Sequence, residues 1–328
     1  MSIRRREFIT LLGGAAASWP VAAQAQQSKL PVVGFLRPDT PAAGADIAAA
    51  FRKGLSETGF VEGRNVLVEL RWGQNDRAHL PELAAELLSR KVDVIAAPGN
   101  ALGALAAKAL TSTTPIVFSI DGDPVRLGLV TSLNRPGGNV TGFVNMGGEL
   151  VLKRLGLLNE LVPRVMRFGL LVTRTIAGFD RLVDDAQSAA ASLGRQLEIV
   201  VPNEREIDTA FAELAQKHVD AMFVYEDLLL ASRRSQILTL AARHAMPAIY
   251  GDRVWADAGG LMSYGPIRSD LGRQAGLYVG RVLRGEKPSD LPVARATGFE
   301  FIINLATARA FGLDVPPTLL AIADEVIE

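Results

Sequence analysis

Short apolar runs alternate along the chain with stretches whose apolar residues recur at three- and four-residue steps. The first kind reads as buried strands and the second as helices with one buried face. Residues 30–36, Leu-Pro-Val-Val-Gly-Phe-Leu, predict a strand that ends in the loop Arg37 to Thr40. Ile47, Phe51 and Leu55 share one face of the next helix, which stops at Gly59. Val66, Val68 and Leu70 alternate with polar neighbours in a second strand over 61–72. Leu80, Leu83, Ala84, Leu87 and Leu88 form an amphipathic stripe, with Pro81 at the helix start. Residues 92–97 and 115–120 predict two more strands, which end at Pro98-Gly99-Asn100 and at Asp121-Gly122-Asp123-Pro124. Such alternation builds a parallel sheet with helices on both faces.

The pattern then passes a turn, Asn134-Arg135-Pro136-Gly137-Gly138-Asn139, and a short strand from Val140 to Val144, and it begins again. A helix over 149–161 carries Leu152, Leu155 and Leu158, spaced three apart. Strands follow over 167–172, 196–201, 221–225, 247–250, 259–266 and 299–303, with helices over 180–193, 232–244 and 269–284 between them. The restart copies the opening. Phe168-Gly169-Leu170-Leu171 answers Val33-Gly34-Phe35-Leu36, and Val219-Asp220-Ala221-Met222 answers Val92-Asp93-Val94-Ile95. Pro247-Ala248-Ile249-Tyr250 answers Pro115-Ile116-Val117-Phe118. Three matches in one order favour an α/β fold of two similar lobes, each with a parallel sheet. The expected division is 29–141 plus 266–297 for the N-terminal lobe and 142–265 plus 298–328 for the C-terminal lobe.

Composition narrows the function. The 328 residues suit two lobes of ordinary size. With 35 basic and 35 acidic side chains the chain is formally neutral, which argues against a nucleic-acid partner or an anionic membrane surface. Cysteine is absent, which excludes disulfides, thiolate metal sites and cysteine nucleophiles, and three scattered histidines make a histidine metal site unexpected. The first 25 residues read as an export signal. They hold Arg4-Arg5-Arg6, an apolar run over 9–17 too short to span a bilayer, and the small-x-small site Ala23-Gln24-Ala25. Cleavage near Ala25 is expected to leave a periplasmic chain with no membrane insertion. Arg5-Arg6-Glu7-Phe8-Ile9 resembles a twin-arginine signal, and an ordinary Sec signal with a basic start is the alternative.

Ligands of open parallel sheets bind beyond the carboxyl ends of the strands, where loops and helix N-termini converge. The matched strands therefore name the candidate site. From the first lobe it takes Arg37, Asp39, Thr40, Gly99, Asn100, Asp121 and Asp123; from the second, Thr173, Arg174, Thr175, Tyr225, Glu226, Asp227, Tyr250 and Asp252. Arg37, Arg174 and Arg253 can each hold a carboxylate with two parallel hydrogen bonds. The aspartates can hold an ammonium or hydroxyl, and Tyr225 and Tyr250 can stack on a ring. Each of these residues also has a plain reading as a solvated charge, a helix cap or a core side chain, and Asp39 and Asp123 are good cap or turn residues. No Gly-x-Gly-x-x-Gly follows the first strand, and there is no Walker loop and no nucleophile elbow. No catalytic residue, metal or cofactor is expected.

Several longer stretches resemble one family. They are Phe51-Arg52-Lys53-Gly54-Leu55 with Gly59-Phe60-Val61-Glu62-Gly63-Arg64-Asn65-Val66, then Leu133 through Gly142, Gly259 through Gly265, and Ala323-Asp324-Glu325-Val326-Ile327. Together they are similar to the exported substrate-binding proteins of ABC transporters that include tryptophan- and tyrosine-binding receptors of the type I periplasmic-binding fold. The resemblance implies two Rossmann-like lobes with parallel sheets joined by three crossovers, and a monomeric receptor that captures a small molecule in the interlobe cleft and hands it to an inner-membrane permease. A receptor that reports ligand to a membrane signalling kinase is the alternative. An exported hydrolase is disfavoured because no nucleophile–base pair is visible. The loops at Thr173 to Ala177, Pro98 to Asn100 and Glu226-Asp227 depart from the family pattern. They leave open whether the ligand is an aromatic amino acid or an aromatic or short organic acid, with Arg174 favouring an anion.

Overall fold

The computed structural model describes residues 30–328, apart from 100, 121, 146, 177, 203–205 and 226 and the side chains of 147–149. The expected export leader and the candidates Asn100, Asp121 and Glu226 lie outside the described residues.

The first lobe runs through β1 (Val32–Arg37), α1 (Ala45–Glu57), β2 (Leu67–Trp72), α2 (Leu80–Ser89), β3 (Val94–Ala97), α3 (Ala101–Leu110), β4 (Ile116–Ile120) and β5 (Val140–Val144). The second begins with α4 (Gly147–Leu161), β6 (Arg167–Leu171), α5 (Phe179–Ser192), β7 (Gln196–Val200), α6 (Ile207–Gln216) and β8 (Ala221–Val224). It continues through α7 (Leu228–Ser232), α8 (Arg234–Arg243), β9 (Ala248–Tyr250), α9 (Arg253–Asp257) and β10 (Met262–Pro266). The chain returns to the first lobe for α10 (Arg268–Leu283) and β11 (Ala294–Arg295). It finishes in the second with β12 (Phe299–Asn304), α11 (Leu305–Ala310), α12 (Pro317–Ile322) and β13 (Glu325–Ile327).

The first sheet has the order β11-β5-β4-β3-β1-β2 and is parallel throughout; the second has the order β13-β12-β10-β9-β8-β6-β7, with β10 and β12 antiparallel. Alternate strand side chains feed a core on each face. Val33 and Phe35 of β1 join one cluster, and Val32 and Leu36 join the other. Leu170 and Phe223 face one core of the second lobe, and Leu171 and Met222 face the opposite one.

The sheets are linked at three places: Asn145 after β5, Ile267 after β10, and Ala296 to Gly298 between β11 and β12. The links are tied to one another, since Ala296 N–H donates to Val144 O at 2.8 Å and Ile267 N–H to Gly298 O at 3.2 Å. β5 pairs with β4 along its whole length to Val144, so the handover comes after the strand, beyond the division at 141 expected from sequence. Helix α10, which follows the second link, packs back onto α1. An added Cβ at Gly272 would stand 2.2 Å from Ile47 O, and one at Gly276 2.3 Å from Phe51 O. The two helices thus touch backbone to backbone at a small-residue seam.

Three details differ from the periodicity reading. The second strand starts only at Leu67, because residues 61–66 turn: Asn65 Oδ1 accepts from Val61 N–H at 2.6 Å, and Gly63 has a φ of 78°. The helix expected over 232–244 is α8, and a short helix that the periodicity did not predict, α7, precedes it and meets it at Arg233. On α4 the buried stripe is Val151, Leu155 and Leu158, whereas Leu152 is 47% exposed. A 3.6-residue turn places 151, 154, 155 and 158 on one face, and that puts Arg154 inside. The tail after Pro316 packs on the second lobe, with Leu319 buried and β13 paired to β12.

Candidate functional site

A cleft of about 710 Å³ lies between the lobes, at the carboxyl ends of β1, β3, β8 and β9. Of the residues expected there, Arg37, Asp39, Thr40, Gly99, Tyr225, Asp227 and Asp252 line it. Asn145, Pro266 and Arg268 place the first two links at its floor.

The first-lobe wall is built around Arg37. The residue is only 5% exposed, and its guanidinium donates from Nε to Asp39 Oδ1 at 2.9 Å, from Nη2 to Asp39 Oδ2, and from Nη1 to Pro98 O at 2.6 Å. Gly99 has a φ of 85°, and a Cβ there would fall 2.4 Å from Arg37 Nη1. Glycine at 99 is therefore required both by the backbone and by the approach of the arginine. Thr40 holds the turn into α1, with its hydroxyl accepting from Ala43 N–H at 3.3 Å.

On the second-lobe wall, Asp227 caps α7. Its Oδ1 accepts from Leu230 N–H at 2.8 Å, and its Oδ2 accepts from the Thr173 and Thr175 hydroxyls, the latter at 3.1 Å. Thr173 and Thr175 thus support the wall through Asp227. Tyr225 is the one aromatic side chain among the described residues that line the cleft, and its ring meets Phe223 edge-on at 6.1 Å.

Asp252 caps α9 through Val254 N–H at 3.1 Å, and its Oδ2 accepts from Arg268 Nη1 at 2.6 Å. Arg268 opens α10 on the first lobe, and its Nε donates to Asp46 Oδ2 at 2.7 Å. Burial opposes the Arg268 charge, but Asp252 and Asp46 outweigh it and hold its pKa above the usual arginine value. The pair Arg268–Asp252 crosses the cleft from lobe to lobe.

Four candidates sit elsewhere. Arg174 is exposed on the loop after β6, with its guanidinium 5.1 Å from the Phe179 ring centre. Tyr250 is 1% exposed and stacks on Trp255 at 4.7 Å, so it belongs to the core, and burial pushes its phenol pKa well up. Asp123 caps its own turn, accepting from Val125 N–H at 2.9 Å, and faces a second groove with Arg126, Arg181 and Arg295. Arg253 pairs with Asp257 on its own helix and with Glu300 and Glu325 on β12 and β13.

Arg154 was missed. It lines the cleft from α4 and is 6% exposed, with Nε donating to Tyr264 O at 2.7 Å and Nη2 to Gly251 O at 3.3 Å. The signal that marks it is an arginine on the buried stripe of an amphipathic helix. Arg234 and Asp46 also line the cleft and were not singled out.

Two α/β lobes, three links and a polar cleft at the strand ends define a binding protein of the type I periplasmic-binding fold. The chain belongs to the ABC transporter substrate binding protein family, whose model matches residues 39–327; the family's function is binding and not catalysis. It is 29% identical over 264 residues to a tyrosine-binding protein of Clostridioides difficile, which covers 80% of this chain and 75% of that one. The ABC domain from Streptococcus pneumonia solved with L-Trp superposes with a TM-score of 0.84 at 25% identity, over 91% of this chain and all of that one. A ligand-free, open substrate binding protein with adhesive properties from Clostridium difficile superposes at 0.70 and 26% identity, over 90% and 99% of the two chains.

Proposed function

We propose that this chain is the periplasmic solute receptor of an ABC importer. It captures a small organic ligand, an aromatic amino acid or an aromatic or organic acid, by closing its lobes. The observation that carries the reading is the interlobe cleft itself. Both walls come from matched strand ends, and the floor comes from the links about which lobes of this kind turn. Tyr225 offers a face for a ring, and charged side chains surround the space. Relatives that carry the names of tyrosine and tryptophan support the ligand class.

The lobe arrangement supports closure. At nearly equal identity, the chain superposes better on the L-Trp complex, 0.84, than on the ligand-free open structure, 0.70. The Arg268–Asp252 pair spans the lobes in this arrangement. A ligand that touches both walls shifts the population toward the closed form by its differential affinity, and the permease then has a distinct shape to recognise.

Native mass spectrometry of freshly purified mature protein, followed by thermal denaturation with amino acids, aromatic acids and organic acids, tests the reading. Saturating ligand at one hundred times Kd is worth about 2.7 kcal/mol and raises Tm by several degrees. If no small molecule co-purifies and no compound of these classes raises Tm, the receptor reading is wrong.

A further inference from the structure

We infer that Arg234 receives the carboxylate of the ligand, so that the cleft takes a small acid in preference to its neutral analogue; this deepens the receptor reading above and rests on it. Four arginines and four aspartates line the cleft among the described residues. Most of them are engaged within the protein. Arg37, Arg154 and Arg268 each donate to described partners. Asp39, Asp46 and Asp252 accept from two of those arginines, and Asp227 accepts from Leu230 N–H and two threonine hydroxyls. Arg234 differs. Among the described residues it makes no hydrogen bond and has no carboxylate oxygen within 4.0 Å, and its Nε is shut off from solvent without an acceptor.

What holds Arg234 in place is a ring. The side chain is half-buried at the start of α8, with its guanidinium carbon 5.7 Å from the centre of the Trp255 ring. Trp255 is fully buried and stacks on Tyr250 at 4.7 Å, so the surface beneath the cation is a fixed part of the core. A ring face attracts a guanidinium but takes none of its hydrogen bonds, because all five N–H groups lie in the guanidinium plane. The charge is therefore positioned while its donors stay unspent. Hydration is the plain alternative for a half-buried arginine, but solvent does not reach Nε. Buried donors without acceptors are rare, because leaving one unmade costs the desolvation of the group. The planar fork of a guanidinium matches a carboxylate with two parallel hydrogen bonds. Since α8 belongs to the second lobe, an acid held there leaves the rest of the molecule to meet the first-lobe wall, as closure on a ligand requires.

Calorimetry on the mature chain with L-tryptophan, phenylacetate and their primary amides tests this. Each amide keeps the ring and its linker but removes the negative charge. An acid that binds is expected to do so roughly 30-fold more tightly than its amide, the ordinary margin for a charged hydrogen-bonded pair. Arg234→Gln should bring acid and amide within about twofold of each other, because it removes the charge that tells them apart. Arg234→Lys keeps the charge without the fork and should retain a gap of roughly fivefold. Either acid behaving in this way supports the anchor, and the comparison of the two acids reports what the ammonium adds. Acid and amide binding alike in the unmodified chain would overturn the anchor and leave the receptor reading standing, as would a gap that survives Arg234→Gln. If Arg234→Gln fails to fold, Arg234→Lys carries the test, and an undiminished gap in it overturns the anchor. Binding of none of the four also overturns the anchor, whereas the receptor reading then stands or falls on the wider thermal screen.

Discussion

The two walls of the cleft come from matching positions of a repeated fold, yet they handle charge in opposite ways. The end of β1 presents Arg37 and Asp39 already locked to each other, so the first-lobe wall is rigid and close to neutral before any ligand arrives. The corresponding end of β6 presents Thr173 and Thr175, whose hydroxyls are turned to Asp227, while Arg174 between them points outside the cleft. The cations of the second wall come instead from helices, Arg154 on α4 and Arg234 on α8. The repeat therefore conserves where a loop falls and not what its side chains do. One wall carries its cation at a strand end, and the other carries its cations on helices.

The strongest way to break this comparison is to disturb the slot behind Arg154. Gly265→Ala places a Cβ on the Gly251 carbonyl, a backbone atom that cannot swing aside as a side chain would. We expect destabilisation of at least about 3 kcal/mol, the upper end for overpacking, read as a lower midpoint in urea unfolding. Gly138→Ala meets nothing within 4 Å and serves as the control. Equal midpoints for the two variants would mean that β9 and β10 are not held in contact.

Next in size is the pair that joins the walls. Asp252→Asn keeps the cap on α9 through Oδ1 but removes the charge that Arg268 meets across the cleft. Arg268 retains Asp46, so the first lobe is left intact. The closed form alone should suffer, by roughly 1–2 kcal/mol, weakening any ligand by about tenfold. Small-angle scattering of the ligand-free protein should show a larger radius of gyration. Unchanged affinity and scattering would show that the pair does not hold the lobes together.

Sequence made the frame legible and the chemistry less so, for physical reasons. Strands buried on both faces are continuous apolar runs, so their ends, and with them Arg37, Gly99, Tyr225 and Asp227, could be placed from pattern alone. Side-chain direction is another matter. Tyr250 and Tyr225 both end second-lobe strands, but Tyr250 turns to the core against Trp255 and Tyr225 to the cleft. Nothing local distinguishes them. Arg154 was hidden because the spacing Leu152, Leu155, Leu158 fits a helix as well as the true stripe does, and choosing it turns Arg154 outward. A stripe drawn through Val151, Leu155 and Leu158 would have exposed the anomaly of a charge on the buried face.

The smallest expected effect is at Arg174. From sequence, Arg174 follows the first strand of the second lobe, where Arg37 closes the first strand of the first, and so it claims the role of carboxylate holder. In the structure it is exposed and its neighbour is the Phe179 ring. An exposed cation over a ring contributes about 0.5–1 kcal/mol at most, and to the folded state as a whole. Arg174→Ala should therefore lower stability by no more than that and leave the affinity for L-tryptophan or phenylacetate within about twofold, in line with surface substitutions generally. If calorimetry instead shows that Arg174→Ala costs phenylacetate or L-tryptophan its affinity, the loop closes over the ligand in solution. The charge asymmetry between the two walls would then disappear, because each lobe would present its arginine from the end of its first strand.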